Sequence, residues 1–196
     1  MREPGIEALV SSRICHDLIS PVGAIGNGIE LLEGLTDSMP EIGLIADSVE
    51  NAKNKLRFFR ICFGQSTLGA MSGVEDISAV ATDMLQTPRL GLQWHLSETA
   101  LPREEVKLLF LMLLCAETAL PVGGTISIAR DDDQFVITAR GKRVQRCEAW
   151  DVLDVEKYPR TITPARVQFP LSKTLAAELG RKIRMEEAEA EMTIRF

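Results

Sequence analysis

The chain has 196 residues, about 45% apolar and 26% charged, which excludes wholesale disorder and suffices for one sizeable core or two small ones. Lys and Arg number 22 against 28 Asp and Glu, and the resulting charge of −6 argues against a nucleic-acid binder, which carries a basic excess, while leaving room for a partner with a basic docking rim. No basic segment followed by an apolar stretch opens the chain, and no apolar run approaches the roughly 20 residues of a membrane span, so a cytoplasmic, soluble protein is expected.

Residues 5 to 34 read as one long helix. Ala8, Ser11, Cys15, Leu18, Val22, Ile25, Ile29 and Leu32 recur at alternating spacings of three and four, a heptad seam. Pro21 interrupts it, because proline removes one helical hydrogen bond and clashes one turn back. The seam stays in phase across Pro21, so the helix is expected to continue with a kink. Gly23, Gly26 and Gly28 clear bulk from its surface. Gly34 to Pro40 reads as a turn, and residues 41 to 65 as a second helix with a seam at Ile42, Ile45, Val49, Ala52, Leu56, Phe59 and Phe63. The pair predicts an antiparallel hairpin. Phe58, Ile61 and Cys62 make the second seam too broad for one partner helix, so two copies are expected to pair as a homodimeric four-helix bundle.

Gln65 to Gly73 reads as a linker, which places one domain at 1–66 and a second at 73–196. In the second, Val74 to Ile77 reads as a short strand or a helix entry, Ser78 to Gln86 as a helix, Leu90 to Leu96 as a strand, and Pro102 to Leu120 as a helix with proline in its first turn. Pro121-Val122-Gly123-Gly124 turns the chain. Thr125 to Arg130 and Gln134 to Arg140 form a hairpin around three aspartates. Residues 141 to 160 read as irregular and charged, Gln168 to Leu179 as a helix stopped by Gly180, and Lys182 to Glu186 and Glu191 to Phe196 as closing strands. The fold class is α+β: a helical hairpin followed by an α/β sandwich with helices on one sheet face.

His16 follows Cys15 on the first helix, so it lies about 100° around from the seam, on the exposed flank. Arg13, Ser20, Gly23 and Asn27 share that flank. The hairpin should centre near Asp37, which brings Arg57 and Arg60 to the level of His16 as candidate charge partners for a phosphate. A neutral imidazole has a lone pair for in-line attack on phosphorus, and the neighbouring Asp17 can orient or deprotonate the ring.

The stretch Cys15-His16-Asp17-Leu18-Ile19-Ser20-Pro21 resembles the phosphoacceptor box of sensor histidine kinases. The fuller string from Ser12 to Gly28 is similar to ChpT-type histidine phosphotransferases of alphaproteobacteria, and the similarity extends over nearly the whole chain. In a kinase, two asparagines on the helix before a Pro-x-Gly-Gly turn hold magnesium; here those positions are Leu111 and Cys115, which cannot serve a hard cation. The Asp-x-Gly-x-Gly aspartate that holds adenine is replaced by Ala139 in Ala139-Arg140-Gly141. A glycine-rich lid is replaced by Val167-Gln168-Phe169-Pro170-Leu171. The second domain is therefore expected to be a degenerate, Bergerat-like ATPase domain that does not bind ATP.

The resemblance implies a phosphorelay intermediate. His16 would be the phosphoacceptor and Asp17 its orienter or base, with Arg13, Ile19, Ser20, Gly23, Asn27, Arg57 and Arg60 meeting the visiting domain. The donor would be the receiver domain of a hybrid histidine kinase, and the acceptors CtrA-like response-regulator receivers. This chain would need no cofactor, magnesium being held by the receiver. The charged segment from Arg140 to Glu156 would either touch the receiver or remain a solvated loop. Two alternatives stand beside this reading: a divergent active histidine kinase, and an adaptor that binds receivers without carrying phosphate. Ser20, four residues after His16, stands where bifunctional kinases carry a residue that positions water, but phosphatase activity is not expected. His95 reads as structural and Cys115 as an inert buried thiol. Cys15, Cys62 and Cys115 all fall in apolar helical patterns and read as core residues of a reducing compartment.

Overall fold

The computed structural model describes residues 5–32, 39–65, 69–154 and 162–196. Helix α1 (Ile6–Leu32) passes through Pro21 without a break, and α2 (Met39–Phe63) packs along it. The expected connection near Asp37 lies outside the described residues. Gly28 is buried where the helices meet, and a Cβ there would lie 2.5 Å from Cγ1 of Ile45, so this glycine permits the close approach. Gly23 and Gly26 instead face open space, with nothing within 4 Å of a built Cβ.

The rest of the chain runs β1 (Met71–Gly73), α3 (Val74–Leu85), β2 (Leu90–His95), β3 (Ala100–Pro102), α4 (Arg103–Thr118), β4 (Gly124–Asp131), β5 (Gln134–Arg140), α5 (Asp151–Asp154), α6 (Gln168–Glu178), β6 (Arg184–Ala188) and β7 (Glu191–Arg195). Five strands form one sheet in the order β2-β4-β5-β7-β6, with only β2 and β4 parallel. Alternation along β4, β5 and β7 sends Ile126, Ile128, Phe135, Ile137, Ala139, Met192 and Ile194 into the core. Ser127, Thr138 and Thr193 take the intervening positions on the opposite face. The α+β class and the sandwich with its helical layer are thus observed. β1 and β3 pair as a small antiparallel ribbon that sequence patterning does not announce. Gly180 stops α6 at φ +67°, and Gly123 adopts φ +91° in the turn before β4; both are conformations that disfavour a side chain. Among the described residues, no helix is long and apolar enough to cross a membrane.

The core does not respect the boundary expected near residue 66. Phe58, Phe59 and Cys62 of α2 belong to the same buried cluster as α4, which is buried from Leu108 to Ala116. The Phe58 ring lies 4.8 Å from that of Phe110, and Lys107 donates to the Gly64 carbonyl at 2.8 Å. The argument that Phe58 and Cys62 call for a second copy is therefore corrected: α4 of the same chain covers them. Cys15 is also corrected, being exposed, whereas Cys62 and Cys115 are buried as expected and burial pushes both thiols well above their ordinary pKa. Residues 148–154 are not irregular. A 3₁₀ turn, Glu148–Trp150, runs into α5 and buries Ala149, Trp150, Val152 and Leu153, with Trp150 edge-on to Phe169 at 5.2 Å.

Candidate functional site

His16 stands out from α1 with 83% of its side chain exposed, whereas Asp17 keeps 16% and Arg13 15%. The imidazole Nδ1 lies 3.0 Å from Asp17 Oδ1. An ionised carboxylate only accepts hydrogen bonds, so Nδ1 carries the hydrogen and Nε2 keeps its lone pair, aimed away from the protein. The other carboxylate oxygen, Oδ2, accepts from Arg13 Nε at 2.5 Å, one helical turn back. Arg13 Nη1 in turn donates at 2.8 Å to the carbonyl of Ala165, in the 3₁₀ turn Pro164–Arg166 of the sandwich.

Pro21 shapes the site through the hydrogen bond it cannot make. Its missing N–H would have bonded the Asp17 carbonyl four residues back. Lys55 Nζ from α2 supplies the donor, at 2.9 Å from that oxygen. Lys55 also lines a small cavity of about 220 Å³ with Ser20, Pro21, Ala24, Asp47, Ser48 and Asn51, one turn from the imidazole. Sequence reasoning missed Lys55, although the orphaned carbonyl before a mid-helix proline was a signal that a donor must come from somewhere.

The candidate residues divide. Arg13, His16 and Asp17 form one connected group. Ile19 is 70% exposed, and Ser20, Gly23 and Asn27 are exposed on the same flank, Ser20 one turn from His16 and Asn27 about 16 Å from it along the helix. Arg57 and Arg60 are not brought to this group. They line a separate cavity of about 480 Å³ with Val10, Ile14, Leu56, Phe59, Phe63 and Gly64. Arg57 is two residues from Lys55, about 200° around α2. Glu117, from the end of α4, comes to the same junction as Arg13. The residue is exposed, and desolvation of its carboxyl pushes it above the ordinary range, opposed by Arg13 and Arg166 and reinforced by Asp17.

A hairpin helix that offers an exposed imidazole held by a carboxylate suits a carrier of transferable groups better than an enclosed active site. Comparison with known proteins agrees: the family described as histidine phosphotransferase C-terminal domain matches residues 74–191. The protein phosphotransferase ChpT of Brucella abortus (strain 2308) is 40% identical over 182 residues, covering 90% of this chain and 87% of that protein. A solved bacterial phosphotransferase superposes with a TM-score of 0.82 at 34% identity, over 97% of this chain and 94% of the other. The chain belongs to the histidine phosphotransferase family, and its role is phosphotransfer within a phosphorelay.

Proposed function

We propose that His16 is the phosphoacceptor, and that it relays a phosphoryl group between receiver-domain aspartates. The observation that carries this reading is the 83% exposed imidazole whose Nδ1 is engaged by Asp17, leaving Nε2 to react. Nε2 attacks the phosphorus of an aspartyl phosphate, the P–N bond forms, and the P–O bond to the departing carboxylate breaks. Positive charge developing on the ring is compensated by Asp17. The reverse step hands the group to a second receiver. A hybrid histidine kinase is the donor in this reading, and CtrA-like response regulators are the acceptors.

The receiver docks on the flank of Ile19, Ser20, Gly23 and Asn27 and brings its own magnesium; this chain needs no cofactor. Arg13, expected on that flank, is 15% exposed and spends its guanidinium on Asp17 and the Ala165 carbonyl, so it is not assigned to docking. Arg57 and Arg60 line a cavity with Val10 and Ile14, on a different face of the hairpin from the imidazole, so they are not assigned as charge partners of His16 within one chain. The sandwich does not use ATP in this reading. Leu111, Cys115 and Ala139 are fully buried, and Trp150 and Phe169 pack into the same core, where a nucleotide would need an open cleft.

The protein is read as a homodimer through one apolar stripe. Cys15, Val22 and Ile29 on α1, and Ile42 and Leu56 on α2, are exposed at heptad spacing. Purified protein mixed with a phosphorylated receiver should acquire acid-labile phosphate on His16, and His16→Ala should abolish labelling while remaining folded. Labelling that survives the substitution, or labelling by ATP alone, would overturn the assignment.

A further inference from the structure

We propose that Arg13 is a positioning residue through which the C-terminal sandwich controls the reactivity of His16. The inference rests on His16 being the phosphoacceptor and adds a role for the second half of the chain. Four groups are linked in series: the Ala165 carbonyl, the Arg13 guanidinium, the Asp17 carboxylate and the His16 ring, with contacts of 2.8, 2.5 and 3.0 Å. The first lies 152 residues from Arg13 in the chain. The ring at the end is almost entirely in solvent, so packing does not fix it; among the described residues its hydrogen-bond partner is Asp17, which sets its orientation. Asp17 is fixed in turn because each carboxylate oxygen has a partner and its carbonyl is held by Lys55.

The guanidinium fork suits this place. One arm turns along the helix to Asp17 and the other reaches across to the sandwich, whereas an ammonium is a single point that cannot sit at both. Seating the turn Pro164–Arg166 against α1 therefore sets the direction of the Arg13 fork, and the fork sets the carboxylate. When that seat is lost, Asp17 Oδ2 loses its directed partner, the carboxylate turns, and the preference for hydrogen on Nδ1 weakens. Nε2 is then less often the bare nitrogen.

The test compares full-length wild type with Arg13→Ala and Arg13→Lys. Transfer from a phosphorylated receiver is followed as the maximal rate and the half-saturating receiver concentration. In parallel, ¹⁵N-histidine spectra report the tautomer of His16; the chain has two histidines, and His95→Gln assigns them. Both variants should lose on the order of 10- to 100-fold in maximal rate with little change in half-saturation, the cost expected of misaligning a reacting group. The His16 signals should move from the Nδ1–H form toward a mixture. Those signals come from folded molecules, so a loss of stability does not hide the answer. A wild-type rate in either variant, or an unchanged tautomer, would overturn the role of Arg13. Absence of any transfer to His16 in the wild type would instead overturn the underlying reading.

Discussion

At the residue scale, two glycines five positions apart on α1 illustrate opposite uses of a missing side chain. Gly28 is buried against Ile45, and Gly23 stands in open space on the flank that carries His16. Ala at 28 would gain roughly 1 kcal/mol of helix propensity but must displace a β-branched side chain, an overpacking cost of roughly 1–3 kcal/mol. Gly28→Ala is therefore expected to lower the denaturation midpoint. Gly23→Leu meets no neighbour in the chain and should hold or raise stability by roughly 0.5–1 kcal/mol. If a receiver approaches over this flank, the same substitution should slow phosphotransfer while leaving the fold intact. Chemical melts paired with a transfer assay check both; a Gly23→Leu protein that transfers normally removes Gly23 from the docking surface. Neither role follows from the sequence, where three nearby glycines look alike. What separates them is the helical phase against α2.

At the element scale, the long amphipathic segments were legible and the rotation of one against the other was not. The seams of α1 and α2, the hairpin of β4 and β5 and the glycine stop of α6 follow from apolar periodicity and turn chemistry, which are local. The pairing of α1 with α2 depends on where the connection centres. Estimating that centre from Asp37 put His16 level with Phe58, within about two residues of the register that Asp17 with Lys55 and Gly28 with Ile45 define. The level was therefore legible; which face of α2 turns toward Asp17 was not, and Lys55 and Arg57 lie about 200° apart around that helix. Residues 148–154 were missed because Glu148, Asp151 and Asp154 dilute Ala149, Trp150, Val152 and Leu153, and only tertiary packing reveals that they are core. The Pro21–Lys55 arrangement gives a sharp test. Lys55→Met leaves the Asp17 carbonyl without its donor and should cost roughly 1–2 kcal/mol of stability. Pro21→Ala restores the backbone N–H that this carbonyl lacks. In the double variant the effect of Lys55→Met should shrink markedly, a coupling measurable by urea denaturation of the four proteins. Additive effects would show that Lys55 does not replace the proline's missing bond.

At the scale of the whole molecule, the apolar surface divides between the two halves of the chain and a face that neither half covers. The lower part of α2 is sealed by α4 through Phe58 and Cys62, so burial there needs no second copy. The stripe of Cys15, Val22 and Ile29 remains open, and Val22 alone is 59% exposed. The register set by Asp17 with Lys55 and Gly28 with Ile45 places Leu56 near the level of Cys15, and Ile42 near that of Ile29. Residues on both helices thus form one continuous face, the geometry from which a two-fold bundle buries four seams at once. His16 lies about 100° around α1 from Cys15, so pairing through this face leaves the imidazole accessible. Val22→Asp places a charge in the middle of the stripe and should convert a dimer to a folded monomer, read by sedimentation. Cys15 supplies an independent readout from the same face. If two copies pair through this face, its alkylation should be slow in the wild-type protein and fast in Val22→Asp, while buried Cys62 and Cys115 stay unreactive in both. Equal Cys15 reactivity in the two proteins, or a wild-type monomer at micromolar concentration, would mean that this face serves a different partner.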